Sequence, residues 1–596
     1  MPVTRLDHER GQVVMHTSGP ICVTTQEVAE SQAFAQIVAA YARGLVAHHS
    51  PLLHNLGYDL ADDAQLAAFT DQLRVLANNP LDRVAGATSG PAGLAAYREA
   101  LHAFVEGLYD YWRSFDRFIV SHSEAGGGAR DRRPHQAFNQ TMDEFAVLVR
   151  GLYRDVVENI TGEHPRVYRQ VSAGCQVGLV AVHRDWPVPA AYRSTLAAIP
   201  LVRQVVIDPP FIIDPPTNTR TGEFSEVSEN PIAGLELDPA RWICYPAVVG
   251  PLVVFVYVDQ RFIGLGSALA NLFELAGDEQ ISAGPDAVFL YGVPQESLAR
   301  FGDLPTVFHA DGENDLLVAA VPGEDRFGYF GYLKKMVLTL HNVAMLERGR
   351  MPYHGAFTRI ALANGASANV LIVGDTGAGK SETLEALGRL AGAEISDLRI
   401  VADDMGSLAL SDDGRVVGYG TEIGAFVRLD DLSKGYAFQQ LDRAIFMSPH
   451  KVNARVVVPV TTLEEVLRGY TVDVLLYANN YEWVDDDHPV IERFEGAEQA
   501  LAVFREGRAM SKGTTTATGL TSTYFVNIFG AVQRREQHEA IAGKVFAAAF
   551  ANQMFVGQIR TQLGIESLAA QGPQEAAVAL LQLISARSGR RPGAGA

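Results

Sequence analysis

The stretch VLIVGDTGAGKSETLEAL, residues 370–387, constrains the fold of this 596-residue chain more than any other. A hydrophobic run, a glycine-rich turn and a helix-forming segment follow one another. Gly374, Gly379, Lys380 and Ser381 satisfy the pattern G-x-x-x-x-G-K-[ST]. The glycines let the backbone curl so that its N–H groups face one anion, and the following helix adds the positive end of its dipole. Lys380 supplies a mobile charge for outer phosphates, and Ser381 a hydroxyl for Mg²⁺. The loop Gly374, Asp375, Thr376, Gly377, Ala378, Gly379, Lys380, Ser381 and Glu382 is therefore expected to bind a nucleotide. The alternative is a degenerate loop that keeps the shape without the ligand. The next expected strand, LRIVADD, ends in Asp403 and Asp404. Hard oxygens there suit Mg²⁺ or Mn²⁺ beside a phosphate loop; the simpler reading is a pair of turn or capping acids.

The length points to two or three domains. A formal charge of −20 disfavours nucleic acid or an anionic membrane as the main partner. A phosphorylated substrate would then need a local basic pocket. Cys22, Cys175 and Cys244 are scattered, which fits a reducing cytoplasm and neither a disulfide framework nor a zinc site. The opening MPVTRLDHERGQVV has no apolar signal core. The longest apolar stretch, YPAVVGPLVVFVYV (245–258), is broken by Gly and Pro and reads as buried strand. A cytoplasmic chain with no membrane partner is expected. The 49 basic residues include seven lysines: Lys334, Lys335, Lys380, Lys434, Lys451, Lys512 and Lys544. Where arginine serves for almost every cation, a retained lysine marks a place where a group able to lose its proton is needed; compositional drift is the alternative.

Residues 26–165 read mainly as helices. TQEVAESQAFAQIVAAYARGLVAHH, AAYREALHAFVEGLYDYWRSF and HQAFNQTMDEFAVLVRGLYRDVVENI place apolar residues at three-to-four spacing. SEAGGGARDRRPH (123–135) reads as a flexible joint. From about 170, CQVGLVAVH, VRQVVIDPPFIID and LVVFVYVD read as strands, and IDPPTNTRTGEFSEVSENP as a long polar loop. SANVLIV is a strand, GDTGAGK a turn and SETLEALGRLAG a helix. The tail SARSGRRPGAGA is expected to be disordered.

GDTGAGKSE followed by IVADD resembles the HPr kinase/phosphorylase family, as does the upstream His354-Gly355 of MPYHGAF. The wider context resembles phosphoenolpyruvate carboxykinase, which shares the same nucleotide-binding core. GYFGYLKKMVLTLHN is similar to the carboxykinase stretch in which a tyrosine, here Tyr329, precedes by six residues the second lysine of a pair, here Lys335. In the ATP-dependent carboxykinases a metal-binding histidine follows that lysine by nineteen residues, and Lys335 to His354 is nineteen. GTEIGAFVRLDDL resembles the glycine-rich segment ending in a phosphate-facing cation, here Arg428. NARVVVPVTTLEE resembles the Asn-x-Arg segment whose arginine, here Arg455, contacts the transferring phosphoryl. STYFVNIFGAV resembles the late aromatic segment. The resemblance spans about 328–565. There are departures. MSKGTTTATGLTST carries neither the late Arg nor the Thr-Glu-Pro that help hold the nucleotide in that family, and Lys380 to Asp403 is longer than in either family. The arginine segment that grips the substrate carboxylate has no clear copy, and Arg220 in TNTRTGEF is the candidate.

The resemblance implies an α/β fold with mixed sheets. A carboxykinase-type nucleotide-binding domain would cover 328–586, preceded by an α/β domain at 166–327 that could bind substrate. A mainly helical region at 1–165 and a disordered tail at 587–596 complete the expected layout. It also implies ATP, Mg²⁺ and Mn²⁺ in a two-metal phosphoryl transfer. One ion would sit on Ser381 and the outer phosphates, with Asp403 nearby. The second would take His354, Asp404 and a neutral Lys335. Lys334, Arg428 and the metal are expected to lower the Lys335 pKa. Arg455, Arg428 and Lys380 would neutralise the moving phosphoryl, and Tyr329 would line the carboxylate or CO₂ site. Three functions follow. The first is a carboxykinase acting on oxaloacetate. The second is a kinase of the same fold acting on a protein hydroxyl or small metabolite, with Asp403 as base. The third is a non-catalytic nucleotide sensor. The acceptor and the oligomeric state are left open by the sequence.

Overall fold

A computed structural model describes residues 3–18, 21–84, 93–123, 134–303, 305–390, 394–429, 442–512 and 518–588. The described residues form a mixed α/β structure. The chain divides into two compact units, Met1–Arg184 with Leu201–Phe211, and Asp185–Pro200 with Ile212–Ala596. Among the described residues no helix is long and apolar enough to cross a membrane.

In the first unit the long amphipathic segments form helices Gln32–Ala47, Gly93–Arg113 and Pro134–Thr161. The segment beginning TQEVAES divides into two helices, because the Ser31 hydroxyl accepts from the Phe34 amide and starts a new one. Three strands stand in the region 1–165 expected to be mainly helical: Val3–Asp7, Gln12–Thr17 and Asp116–Ser123. Gln12–Thr17, Asp116–Ser123 and Val177–Val182 run parallel, with Leu201–Ile207 antiparallel beside the last. Their short apolar runs carry buried faces that the helices cover. Most of the expected joint at 123–135 lies outside the described residues; Ser123 is in a strand and Pro134 starts a helix. Of the expected tail at 587–596, Arg587 and Ser588 belong to the helix Gly572–Ser588, and the rest lies outside the described residues.

Arg117 ties this unit together. It is 2% exposed, yet its guanidinium donates to four carbonyls. These are Gly174 at 2.7 Å, Trp112 at 3.1 Å, Arg113 at 2.7 Å and Phe115 at 2.7 Å. Three belong to the end of the Gly93–Arg113 helix and the turn after it, where carbonyls lack intrahelical partners and a cation is favoured.

In the second unit, the apolar run at 245–258 is a buried hairpin of Trp242–Val249 and Leu252–Asp259, turning at Gly250 with φ 53°. Leu252–Asp259, Ala287–Val293 and Leu316–Pro322 then run parallel. A second sheet carries the phosphate loop. Its middle strands are Met351–Leu362, Ser367–Val373, Val474–Asn479 and Phe555–Arg560, the last three parallel. The helices Lys380–Leu390 and Gly572–Ser588 pack on it around Ile372, Leu387, Leu476, Ile559 and Leu580. A smaller antiparallel group joins Gly424–Arg428, Arg455–Pro459 and Ile445–Met447.

Replacing Arg117 by leucine leaves four carbonyls without that donor. The Arg117→Leu chain is expected to lose about 3 kcal/mol or more of stability in the first unit. Urea unfolding followed by circular dichroism measures it.

Candidate functional site

The phosphate loop sits where strand Ser367–Val373 runs into helix Lys380–Leu390, at the carboxyl ends of parallel strands where ligands collect in such sheets. The two neighbouring strands end in residues that hold the loop. Asn480 Nδ2 donates to the Gly377 carbonyl at 2.9 Å, and the Thr561 hydroxyl donates to the Ala378 carbonyl at 2.7 Å. Gly379 has φ +92°, and a Cβ there would lie 2.6 Å from the Thr561 side chain, so glycine alone fits. The buried Lys380 ammonium donates to the Gly374 and Asp375 carbonyls at 2.6 and 2.9 Å. Asp375 accepts from the Thr376 amide at 2.7 Å. Ser381 and Glu382 lie in the first helical turn.

Backbone bonds join the loop to the other motifs. The Gly374 amide donates to the His354 carbonyl at 3.0 Å, and the Gly355 amide to the Asp404 carbonyl at 2.8 Å. His354, Asp403, Asp404 and the start of the loop are thus brought together.

Asp404 lies between two basic groups. Lys334 Nζ is 2.6 Å from Oδ2, and His354 Nε2 is 3.0 Å from Oδ1. Burial pushes the Asp404 carboxyl up, but Lys334 and His354 outweigh it and hold the group well below the usual carboxylate range. Asp403 moves the other way: burial and then the Asp404 charge raise it, against Lys334, Lys380 and His354. Below Lys334 is Glu422, a buried acid absent from the expected site, 3.5 Å away. Neither Glu422 carboxylate oxygen has a hydrogen-bond partner among the described residues. Burial pushes its carboxyl up to about 8, against the pull of Lys334. Burial lowers the Lys334 pKa, yet Asp404 and Glu422 raise it overall, so it stays an ammonium.

His354 Nδ1 is 2.6 Å from the Val526 carbonyl, which fixes Nδ1 as the donor and turns Nε2 toward Asp404. Phe525, Val526 and Asn527 have φ of 44°, 55° and 64°, three successive side-chain-bearing residues in the left-handed region. A β-branched valine is costly there. The turn is held by amide bonds from Val526 to the Thr523 carbonyl at 3.0 Å and from Asn527 to Tyr524 at 3.2 Å. Strain is thereby spent on presenting one carbonyl to the histidine.

Lys335, one helix position on from Lys334, meets the opposite environment. Its ammonium lies over the Phe529 ring at 4.8 Å and makes no hydrogen bond or ion pair among the described residues. The Arg220 guanidinium is over the same ring at 5.9 Å. Burial, then Arg220, then Arg455 bring Lys335 down to about 7, opposed by Asp404 and Asp375. The expected depressing groups were Lys334 and Arg428. Arg220 and Arg455 take that part instead, because Lys334 points at the acids. Arg220 itself is lowered by burial. Tyr329 is buried at the start of the Phe330–Glu347 helix, its ring 6.0 Å from Phe426. Arg455 packs over Phe426 at 5.1 Å and bonds Asn453 Oδ1 at 3.2 Å. Arg428 is its direct cross-strand neighbour. Directly opposed positions fall on one face of that small sheet.

Among the described residues no group of three or more His, Cys, Asp or Glu side chains is arranged to hold a metal ion. His354 and Asp404 supply two donors, and a third comes only from Lys335 once it has lost its proton. The fit rests on the donor chemistry: the His354 ring is oriented through a backbone carbonyl, the usual partner of a metal-ligating histidine. The sequence reading did not find Asn480, Thr561, Glu422 or Val526. A signal existed for Asn480, which ends the apolar run VDVLLYANN. The expected late segment at 510–523 falls partly at 513–517, outside the described residues. No protein-family model matches the sequence, and no curated protein matches it either.

A lysine lowered to about 7 binds fewer protons folded than unfolded between about pH 7 and 10. Its cost is therefore fully present below that window and fades as pH rises through it. Lys335→Met is expected to melt a few degrees above wild type at pH 6, with the gap closing toward pH 10. Calorimetry of both proteins without added metal checks it; a gap that does not depend on pH contradicts it.

Proposed function

We propose that this chain catalyses ATP-dependent, divalent-metal-assisted phosphoryl transfer of the phosphoenolpyruvate carboxykinase type. The observation that carries the reading is the opposite placement of two adjacent lysines beside a phosphate loop. Lys334 is locked to Asp404, and Lys335 is buried near Arg220 and Arg455 with its pKa brought down to about 7. A purely structural lysine pair has no need of that contrast.

In the proposed reaction oxaloacetate loses CO₂, and the electrons of the broken C–C bond form an enolate. The enolate oxygen takes the γ-phosphoryl group of ATP, and ADP leaves. The loop amides and Lys380 bind the phosphates, with Lys380 exchanging its loop carbonyls for phosphate oxygens. Arg428 and Arg455 stabilise the charge on the transferring group, where positioning and charge do most of the work. Arg220 is the candidate for the substrate carboxylate, supported by its place over the ring that also carries Lys335. Tyr329 would flank that substrate. Mg²⁺ or Mn²⁺ would be held by His354, Asp404 and neutral Lys335, with a second site at Ser381 and Asp403. Such ions supply Lewis acidity for the enolate and phosphate oxygens. Lys334 keeps Asp404 ionised, and the Val526 carbonyl fixes the His354 ring through Nδ1 so that Nε2 faces Asp404.

A kinase acting on a protein hydroxyl or a small metabolite is the second reading. The raised pKa of Asp403 favours it, because a carboxylate nearer neutrality is a better proton acceptor.

The test offers ATP, Mn²⁺ and oxaloacetate to the purified chain and follows products by ³¹P NMR. Phosphoenolpyruvate with CO₂ release is the expected result. Lys380→Ala is expected to remove ATP-dependent thermal stabilisation. Lys335→Arg is expected to lose about 100-fold or more in activity, nearly as much as Lys335→Ala, because a guanidinium cannot give up its proton. Phosphorylation of another acceptor alone transfers the assignment to the kinase reading. Unchanged ATP binding in Lys380→Ala removes both.

A further inference from the structure

We propose that the N-terminal unit contains a binding site for an apolar small molecule that is uncharged or carries one positive end. A cavity of about 310 Å³ lies among its helices and the strand Gln12–Thr17. Sites for small organic ligands begin at about this size, ~300–1,000 Å³. All its lining residues fall within 4–156, so the inference is independent of the phosphoryl-transfer reading.

The cavity opens to solvent on one side and its walls are mostly apolar, so a guest with apolar faces takes that surface out of water. Here several walls are fixed in place. Trp112 donates from Nε1 to the Ala173 carbonyl at 2.7 Å. Tyr153 donates to Glu106 at 2.6 Å, and Tyr109 stacks on Tyr153 with centroids 4.0 Å apart and planes within 10°. Phe34 and Phe145 add further aromatic surface. The walls are preorganised for a ligand with flat or apolar faces.

Charge selects among such ligands. Glu27 and Glu30 line the cavity, and no Lys, Arg or His among the described residues does. The Glu27 carboxylate accepts from the Val23 amide at 2.8 Å and lies close enough to the Cys22 thiol to raise it, after burial, to about 11. A fatty acid or phosphorylated molecule that turned its charge toward the exposed Glu27 and Glu30 would meet like-charge repulsion there. A neutral molecule, or one with an ammonium end facing Glu30, meets no such penalty.

The test uses the full chain and two probes that share their rings. N-phenyl-1-naphthylamine is uncharged, and 8-anilino-1-naphthalenesulfonate adds one negative charge. Saturable one-to-one binding of the neutral probe is expected, with the sulfonate at least ten-fold weaker. Val149→Trp, which adds bulk at the cavity wall, should weaken the neutral probe ten-fold or more without changing the melting temperature. Glu30→Lys, at an exposed position, should shift preference toward the sulfonate by ten-fold or more. Lack of saturable binding, equal affinity in a folded Val149→Trp chain, or a sulfonate that binds tighter than the neutral probe in wild type overturns the proposal. If Val149→Trp does not fold, Glu30→Lys decides, and an unchanged probe preference overturns it.

Discussion

The ion pair between Lys334 and Asp404 is the interaction on which the candidate site depends. Removing two charges from water is costly, and the cost is met only if each finds good partners. Asp404 has Lys334 on one oxygen and His354 on the other. Lys334 has Asp404 and Glu422. Because successive helix positions point about 100° apart, Lys335 leaves the helix in a different direction from Lys334 and lies over Phe529, where the charges of Arg220, Asp404 and Arg455 all act on it. One backbone choice thus gives one lysine that keeps its proton and one that readily gives it up.

The same economy shapes the phosphate loop. Its carbonyls accept from Asn480, Thr561 and Lys380, which leaves amides as the groups offered to an anion. The left-handed turn at Phe525–Asn527 is a local cost in the same unit. It is intelligible if it holds His354 ready for a charged ligand.

The phosphate loop was legible because its chemistry is local: a strand, a glycine turn and a helix must adjoin in sequence. The strand Ser367–Val373, the helix Lys380–Leu390 and the acids after Ile395–Ala402 stand where the residues indicate. Glu422 was not legible, because the group that faces it, Lys334 on the Phe330–Glu347 helix, lies far from it in the chain. The direction of the Lys335 shift was expected from the metal-ligand role that the resemblance implies, but its causes were not, since Arg220 reaches it from a polar loop more than a hundred residues away. In the first unit, Asp116–Ser123 is too short to outweigh the helical periodicity on either side of it, and Val3–Asp7 and Gln12–Thr17 are short runs at the start of the chain with no strand signal of their own. They become strands by pairing across the chain.

The central claim concerns the protonation of two neighbouring lysines, and it is open to direct measurement. With seven lysines in the chain, ¹³Cε-lysine labelling gives a spectrum simple enough to assign by single substitutions. Titration by NMR is expected to show one resonance with a midpoint at about 7, missing from Lys335→Arg, and a Lys334 resonance that stays protonated well above it. A Lys335 resonance that titrates near the ordinary lysine value of about 10.4 would contradict the account.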